Sequence, residues 1–418
     1  MMRTVIQTAT AAVLITSLAL ADNWPAWRGA DGLGHCRDTG LPLKWSVTEN
    51  VRWKVALPDE GNSTPVVWGE RIFLTQATEK GRVRATICFN SKDGSKLWEQ
   101  KVEYKEPEPT HNTNPFCSAS PVTDGQRVVV SHGSAGMFCY DMEGKDLWRR
   151  ELGKCHHVWG NAASPVIHDD LVILNFGPGA EQYLLAVNKE TGKDVWKVEE
   201  PGGSAGIAKG EKWIGSWSTP VVATIKGREE LVMSWPGVIK SYEPKTGKLF
   251  WSCEGLAKDK RPDALVYTSP VVTEDVVIGM AGYGGPAIGV RTGGSGDVTE
   301  THRLWRHPNA PQRIGTGVII GEHLYNVNEP GTLQCLEWKT GKTLWTERIG
   351  GGVWGSLVHA DGRFYVTRLD GETVVVAAKP KFELLANNPL KERTLSSIAV
   401  SDGQVFIRTY KHLWCIGK

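Results

Sequence analysis

The chain has 418 residues, 40% hydrophobic and 22% charged, a globular composition that excludes a disordered or fibrous protein. Its net charge of +2 lacks the concentrated basic footprint of a nucleic-acid binder. The 47 glycines and 18 tryptophans point to many turns joined by aromatic-packed strands.

Residues 1–21 read as a secretory signal peptide. Arg3 supplies the positive start, AAVLITSLAL the apolar core, and Ala19-Leu20-Ala21 an A-x-A cleavage site. That run is too short to span a bilayer, and no later apolar run reaches about 18 residues. Asp22 stands where a lipid-anchored chain would carry cysteine. The mature chain is therefore expected to be exported to the periplasm or medium, cleaved after Ala21, soluble without stable membrane insertion, and monomeric.

Two motifs alternate along the rest. The first is NSTPVV (62–67), SASPVT (118–123), AASPVI (162–167), WSTPVV (217–222), YTSPVV (267–272), IGTGVI (314–319), WGSLVH (354–359) and LSSIAV (395–400). Its third residue is always Ser or Thr: Thr64, Ser120, Ser164, Thr219, Ser269, Thr316, Ser356 and Ser397. The second follows about 30 residues later and ends in tryptophan. It reads SKDGSKLW (to Trp98), DMEGKDLW (to Trp148), KETGKDVW (to Trp196), PKTGKLFW (to Trp251) and WKTGKTLW (to Trp345), with a longer glycine-rich version ending at Trp305.

Between them lie alternating runs such as RVVVSH and GRFYVT, the period-2 signature of strands. Glycine in the second motif supplies a hairpin turn. Each unit is thus four antiparallel strands, and eight units predict an all-β, eight-bladed propeller over residues 22–418. Small residues at the innermost strands suit their convergence on the axis. The tryptophans suit the wedge between blades. The eighth unit lacks an outermost strand, and NVRWKVAL (50–57) within the lead-in, residues 22–57, carries the matching Trp53. This segment is expected to pair with the last blade and close the ring.

Cys88, Cys139, Cys335 and Cys415 share one column with Ala186, Ser241 and Ala377, which reads as a small buried position. Cysteines at equivalent points of different blades are too far apart to bridge. A Cys117–Cys155 pair between neighbouring connectors stays open.

AVNKETGKDVW (186–196), with SYEPKTGKLFW and CLEWKTGKTLW, resembles the tryptophan-docking motif of the quinoprotein (PQQ-like) propeller family. WPAWRGADGLG followed by LPLKW resembles that family's lead-in. The resemblance covers the whole mature chain. It implies either a non-catalytic, BamB-like scaffold or a dehydrogenase using PQQ and calcium to oxidise alcohols or sugars. Many members of the second branch place PQQ against a disulfide of adjacent cysteines, and this sequence has no such pair. Length and the bare repeat favour the scaffold, with no cofactor expected. The partner is then an envelope protein or an extracellular ligand, carbohydrate or anionic, and not a nucleic acid.

The resemblance also implies that ligands sit on the face where blade connectors and middle-strand loops gather. Its candidate contacts are His111, Asn112, His157, Trp159, Asn161, Trp217, Arg313, Asn328, Trp354 and Arg368. Asn114, Trp213, Arg261, Tyr267, Gln312, Tyr283 and Arg408 lie in the same connectors and loops. Tryptophans there suit a planar ligand and arginines an anionic one; equally, each suits packing between blades. KCHHVWGNAASP (154–165) carries Cys155, His156 and His157. Adjacent histidines on an extended connector point to opposite sides, so neither a metal site nor a Cys/His nucleophile is expected. The glycine-rich MAGYGGPAIGVRTGGSGD (280–297) has no phosphate-loop pattern and reads as an enlarged hairpin near the funnel.

Overall fold

A computed structural model describes residues 23–417, apart from 205, 206, 208, 211, 259–263 and 311–313. The expected signal peptide, residues 1–21, lies outside the described residues.

The strands form eight antiparallel sheets in chain order around one axis. Blade one, for example, is Val66–Trp68, Arg71–Thr78, Val83–Asn90 and Lys96–Glu103. Blade eight takes Ala399–Ser401, Gln404–Arg408 and His412–Ile416, and its outermost strand is Val51–Ala56 from the lead-in. Trp53 pairs with Cys415 and Ala56 with His412, so the ring closes as the repeat predicts. Gly296–Asp297, from the enlarged hairpin of blade five, runs parallel to Leu249–Glu254 and covers the outer edge of blade four.

The second motif is a docking device. Trp148 of blade two donates its Nε1–H to Lys189 O of blade three at 2.8 Å, and Trp98 donates to Met142 O at 2.9 Å. Each ring lies on the glycine of the next blade's turn. A Cβ at Gly192 would meet the Trp148 ring at 2.8 Å, and Gly192 also needs its positive φ of 67°. Register explains the small column. Cys88, Cys139, Ala186, Ser241 and Cys335 each sit opposite a tryptophan on the outer strand, whose ring needs that space. In blade seven the column position is Val375, not Ala377 as the sequence suggests. Its outer-strand partner is Ala386, so the large and small residues have exchanged places.

The Ser/Thr of the first motif form a belt near the axis. The amide of each donates to the side-chain oxygen of the next: Thr64 to Ser120 (2.8 Å), Ser120 to Ser164 (2.9 Å), Ser164 to Thr219 (3.1 Å) and Thr219 to Ser269 (2.8 Å). The series continues from Ser269 to Thr316, Ser356 and Ser397. Each link satisfies a buried amide across a blade boundary. At the boundary of blades eight and one, Arg408 takes over. Fully buried, it donates to Thr75 O (2.7 Å), Gln76 Oε1 (2.8 Å) and Ser63 Oγ.

The lead-in is a strap across the opposite face. Trp24 exchanges backbone hydrogen bonds with Val67 of blade one. Arg28, 2% exposed, donates to Thr316 O and Gly317 O of blade six and Leu357 O of blade seven. His35 bridges to His359, and Trp45 N donates to Asn388 Oδ1. All eight cysteines are buried thiols, so the Cys117–Cys155 pair does not form. Cys117 Sγ faces Glu60 O at 3.4 Å, and Cys155 is held by Ser134 Oγ through its amide.

Candidate functional site

The connectors that lead into the innermost strands surround an axial funnel of about 290 Å³. Its walls are Trp159, Trp213, Trp217, Tyr267, Tyr283 and Trp354, with Asn62 and Asn114 between them. Belt residues Thr64, Ser164, Thr219, Ser356 and Ser397 line it nearer the axis. Trp27 of the strap lines both this funnel and a depression of about 200 Å³ on the other side, so its ring separates the two. The funnel is therefore a blind pocket floored by the lead-in.

The wall is braced by the connectors themselves. Trp217 donates its Nε1–H to Gly160 O at 2.8 Å and stacks on Tyr267 with ring centroids 4.8 Å apart and planes 9° apart. Tyr283 packs on the far side of Tyr267 at 4.8 Å. It comes from the glycine-rich hairpin, in a left-handed turn with φ of 51°, so that hairpin does reach the funnel. A short parallel pair, Ile214–Ser216 with Ala264–Val266, ties the connectors of blades four and five together. Trp354 donates to Glu329 Oε2 at 2.9 Å.

The sequence candidates divide. Trp159, Trp217 and Trp354 line the funnel. His157 is fully buried behind them, edge-on to Trp217 at 5.0 Å, and its Nδ1 accepts from the Trp159 amide at 3.1 Å. It positions the connector and does not meet the pocket. His111 packs on Trp159 with centroids 4.6 Å apart. Asn161 Nδ2 donates to Gly177 O, tying connector to blade three.

Seven of the residues named from the sequence fall away from the pocket or outside the described residues. Asn112 is exposed and absent from the lining. Asn328 accepts from Thr332 N at 2.8 Å and shapes a turn. Arg368 is paired with Asp370 at 2.6 Å and Glu372 at 3.4 Å, and Arg408 is the buried blade clamp described above. Neither arginine is offered to an anion. Arg313, with Gln312 and Arg261, lies outside the described residues.

Among the described residues the lining holds no Asp, Glu, Lys, Arg, His or Cys. PQQ carries carboxylates, and its cation requires oxygen donors that include carboxylates. These residues do not supply that set, so they do not fit the group. The one cluster of potential cation ligands among the described residues, His168, Asp169 and Glu229, lies on the strap side of the molecule, and Lys245 is 3.7 Å from Asp169.

Sequence reasoning missed Trp27, Asn62 and the belt. The Ser/Thr column is visible in the sequence, but the hydrogen bonds that join it from blade to blade are not. Trp27 stood in the quoted lead-in, with nothing local to show that it crosses the axis.

Fold and funnel together define a PQQ-type propeller with a blind, aromatic central pocket that carries no charged side chain among the described residues. The chain belongs to the family described as outer membrane protein assembly factor BamB, which matches residues 38–116 and 83–347. No curated protein matches the sequence. Among solved structures, BamB from Moraxella catarrhalis shares 14% identity with a TM-score of 0.62, over 86% of this chain and 98% of that one. A europium-containing methanol dehydrogenase shares 11% identity with a TM-score of 0.67, over 92% and 89%. A quinohemoprotein alcohol dehydrogenase from Pseudomonas putida HK5 shares 12% with a TM-score of 0.63, over 94% and 80%. At these identities the likeness shows the fold.

Proposed function

We propose that this chain is an exported, non-catalytic binding propeller that captures an envelope protein or an extracellular ligand through its funnel. The observation that carries this reading is the funnel lining: aromatic, closed beneath by Trp27, and without Asp, Glu, Lys, Arg, His or Cys among the described residues. Acid–base chemistry near neutral pH most often uses His, Asp, Glu, Lys or Cys at the reacting atoms, and a quinone with its cation needs charged partners. A deep aromatic pocket with scattered amides and hydroxyls suits recognition instead. Membership of a family described as an assembly factor supports the same role.

The second reading, a PQQ- and calcium-dependent dehydrogenase, draws on the shared fold of the two dehydrogenase structures. A turnover assay separates the two. Protein preincubated with PQQ and Ca²⁺ is offered alcohols and sugars, with an artificial electron acceptor as the readout. The binding reading expects no substrate-dependent reduction. Sustained turnover that tracks the protein would overturn it.

A further inference from the structure

The boundary of blades three and four, outside the funnel, brings one histidine and two carboxylates together. His168 closes the strand Val166–His168 of blade three, and Asp169 follows it in the hairpin turn with a left-handed φ of 49°. Glu229 stands near the start of Arg228–Trp235 in blade four. His168 Nε2 lies 3.5 Å from Glu229 Oε2 and 3.8 Å from Asp169 Oδ2, and the three ligand atoms lie within 4.8 Å of one another.

These separations are too long for good hydrogen bonds, which close at about 2.7–3.2 Å. They are near what joint coordination requires. Two ligands each about 2.1 Å from one zinc ion stand roughly 3.4 Å apart at a tetrahedral angle, so each pair need draw in by only a few tenths of an ångström. Nε2 makes no hydrogen bond and shows no free surface of its own; it is turned towards the two carboxylate oxygens. Those side chains are 53% and 44% exposed, so an ion enters from solvent between them and meets the nitrogen behind.

Charge points the same way. Glu229 has no other charged partner among the described residues, and Asp169 has only Lys245, 3.7 Å away on an exposed side chain. Two carboxylates converging on one imidazole leave a negative charge that a divalent cation neutralises. The donor set selects the ion. Imidazole nitrogen with carboxylate oxygen suits zinc and its first-row neighbours, whereas calcium and magnesium take oxygen ligands. Three protein ligands leave a fourth position to water.

We propose that His168, Asp169 and Glu229 form a site for a zinc-class divalent cation that ties blade three to blade four, displacing Lys245 when it binds. None of the three lines the funnel, so this site holds or fails independently of the reading given to the funnel.

The test is equilibrium dialysis of the untagged, metal-stripped mature chain against Zn²⁺, with Co²⁺ as a spectroscopic substitute. One zinc per chain is expected to bind with a Kd below about 100 μM, to withstand an excess of Ca²⁺ or Mg²⁺, and to raise the thermal midpoint by mass action. Co²⁺ should develop the visible bands of a four-coordinate ion. His168→Asn and Glu229→Gln should each weaken uptake about tenfold or more, since losing even a group behind a ligand costs that much. Lys245→Ala should bind zinc at least as tightly as the parent. Should His168→Asn fold poorly, Glu229→Gln carries the same test. No saturable uptake up to about 100 μM, uptake that both ligand variants leave unchanged, or calcium binding as tightly as zinc would each overturn the proposal.

Discussion

Arg28 is where the strap is held to the propeller, and Arg28→Met tests whether the strap is structural. The side chain is 2% exposed and donates to Thr316 O at 3.0 Å, Gly317 O at 2.7 Å and Leu357 O at 3.3 Å, as well as to Leu33 O of its own turn. Burial pushes its pKa down to about 10, with Asp31 acting in the opposite sense, so it remains a cation at neutral pH. Methionine keeps the length and apolar stem but donates nothing. Each buried carbonyl left short of a donor costs about 1–3 kcal/mol. Thr316 O also accepts from Leu357 N and loses least. Relief of the buried charge offsets part of the rest, for a net loss of about 3–5 kcal/mol. Urea unfolding at pH 7, read by tryptophan fluorescence, measures this as a lower midpoint at unchanged slope. A loss below about 1 kcal/mol, the scale of a surface change, would refute the claim that Arg28 clamps the lead-in to blades six and seven.

The belt predicts substitutions of opposite sign. Thr219→Val removes the oxygen that accepts Ser164 N and should cost about 1–3 kcal/mol, whereas Thr64→Val removes an unpartnered hydroxyl and should leave stability equal or higher; equal losses in urea unfolding would contradict the belt. Deleting residues 22–57 removes the outermost strand of blade eight together with the strap, and should abolish the cooperative β-sheet melt seen by circular dichroism. A stable truncated monomer would refute ring closure by that segment. Acid should destabilise the protein from about pH 6.5 downwards. Desolvation lowers His132 to about 3, helped by Arg84, and lowers His35 and His359 to about 4, helped by Arg28 and by His35 respectively. Folded, these rings stay neutral where the unfolded chain binds protons near pH 6.5, so stability is full above that value and falls as pH drops towards 4. A thermal midpoint that rises between pH 7 and 4.5 would contradict this.

Blade number, strand order and ring closure were legible because the repeat is written eight times and each copy fixes the others. The docking tryptophans were legible for the same reason. What escaped was whatever depends on a single copy. Nothing local marks Trp27 as the residue that crosses the axis, and Arg28 reaches its carbonyls across 288 residues of sequence. The candidate site was half visible. Trp159, Trp217 and Trp354 sit in connectors that the repeat locates. Arg368 and Arg408 occupy equally suggestive positions, yet carboxylates and carbonyls on adjacent elements had already claimed them. Thr64 differs from its seven equivalents only in the neighbour it meets at the seam, which a repeat pattern cannot show.

The most direct test of the central claim, a funnel with no charged side chain among its described lining that does not hold an anionic quinone, is equilibrium dialysis of the mature protein against PQQ with Ca²⁺. The account predicts no saturable uptake. One-to-one retention of PQQ, lost in Trp354→Ala, would contradict it.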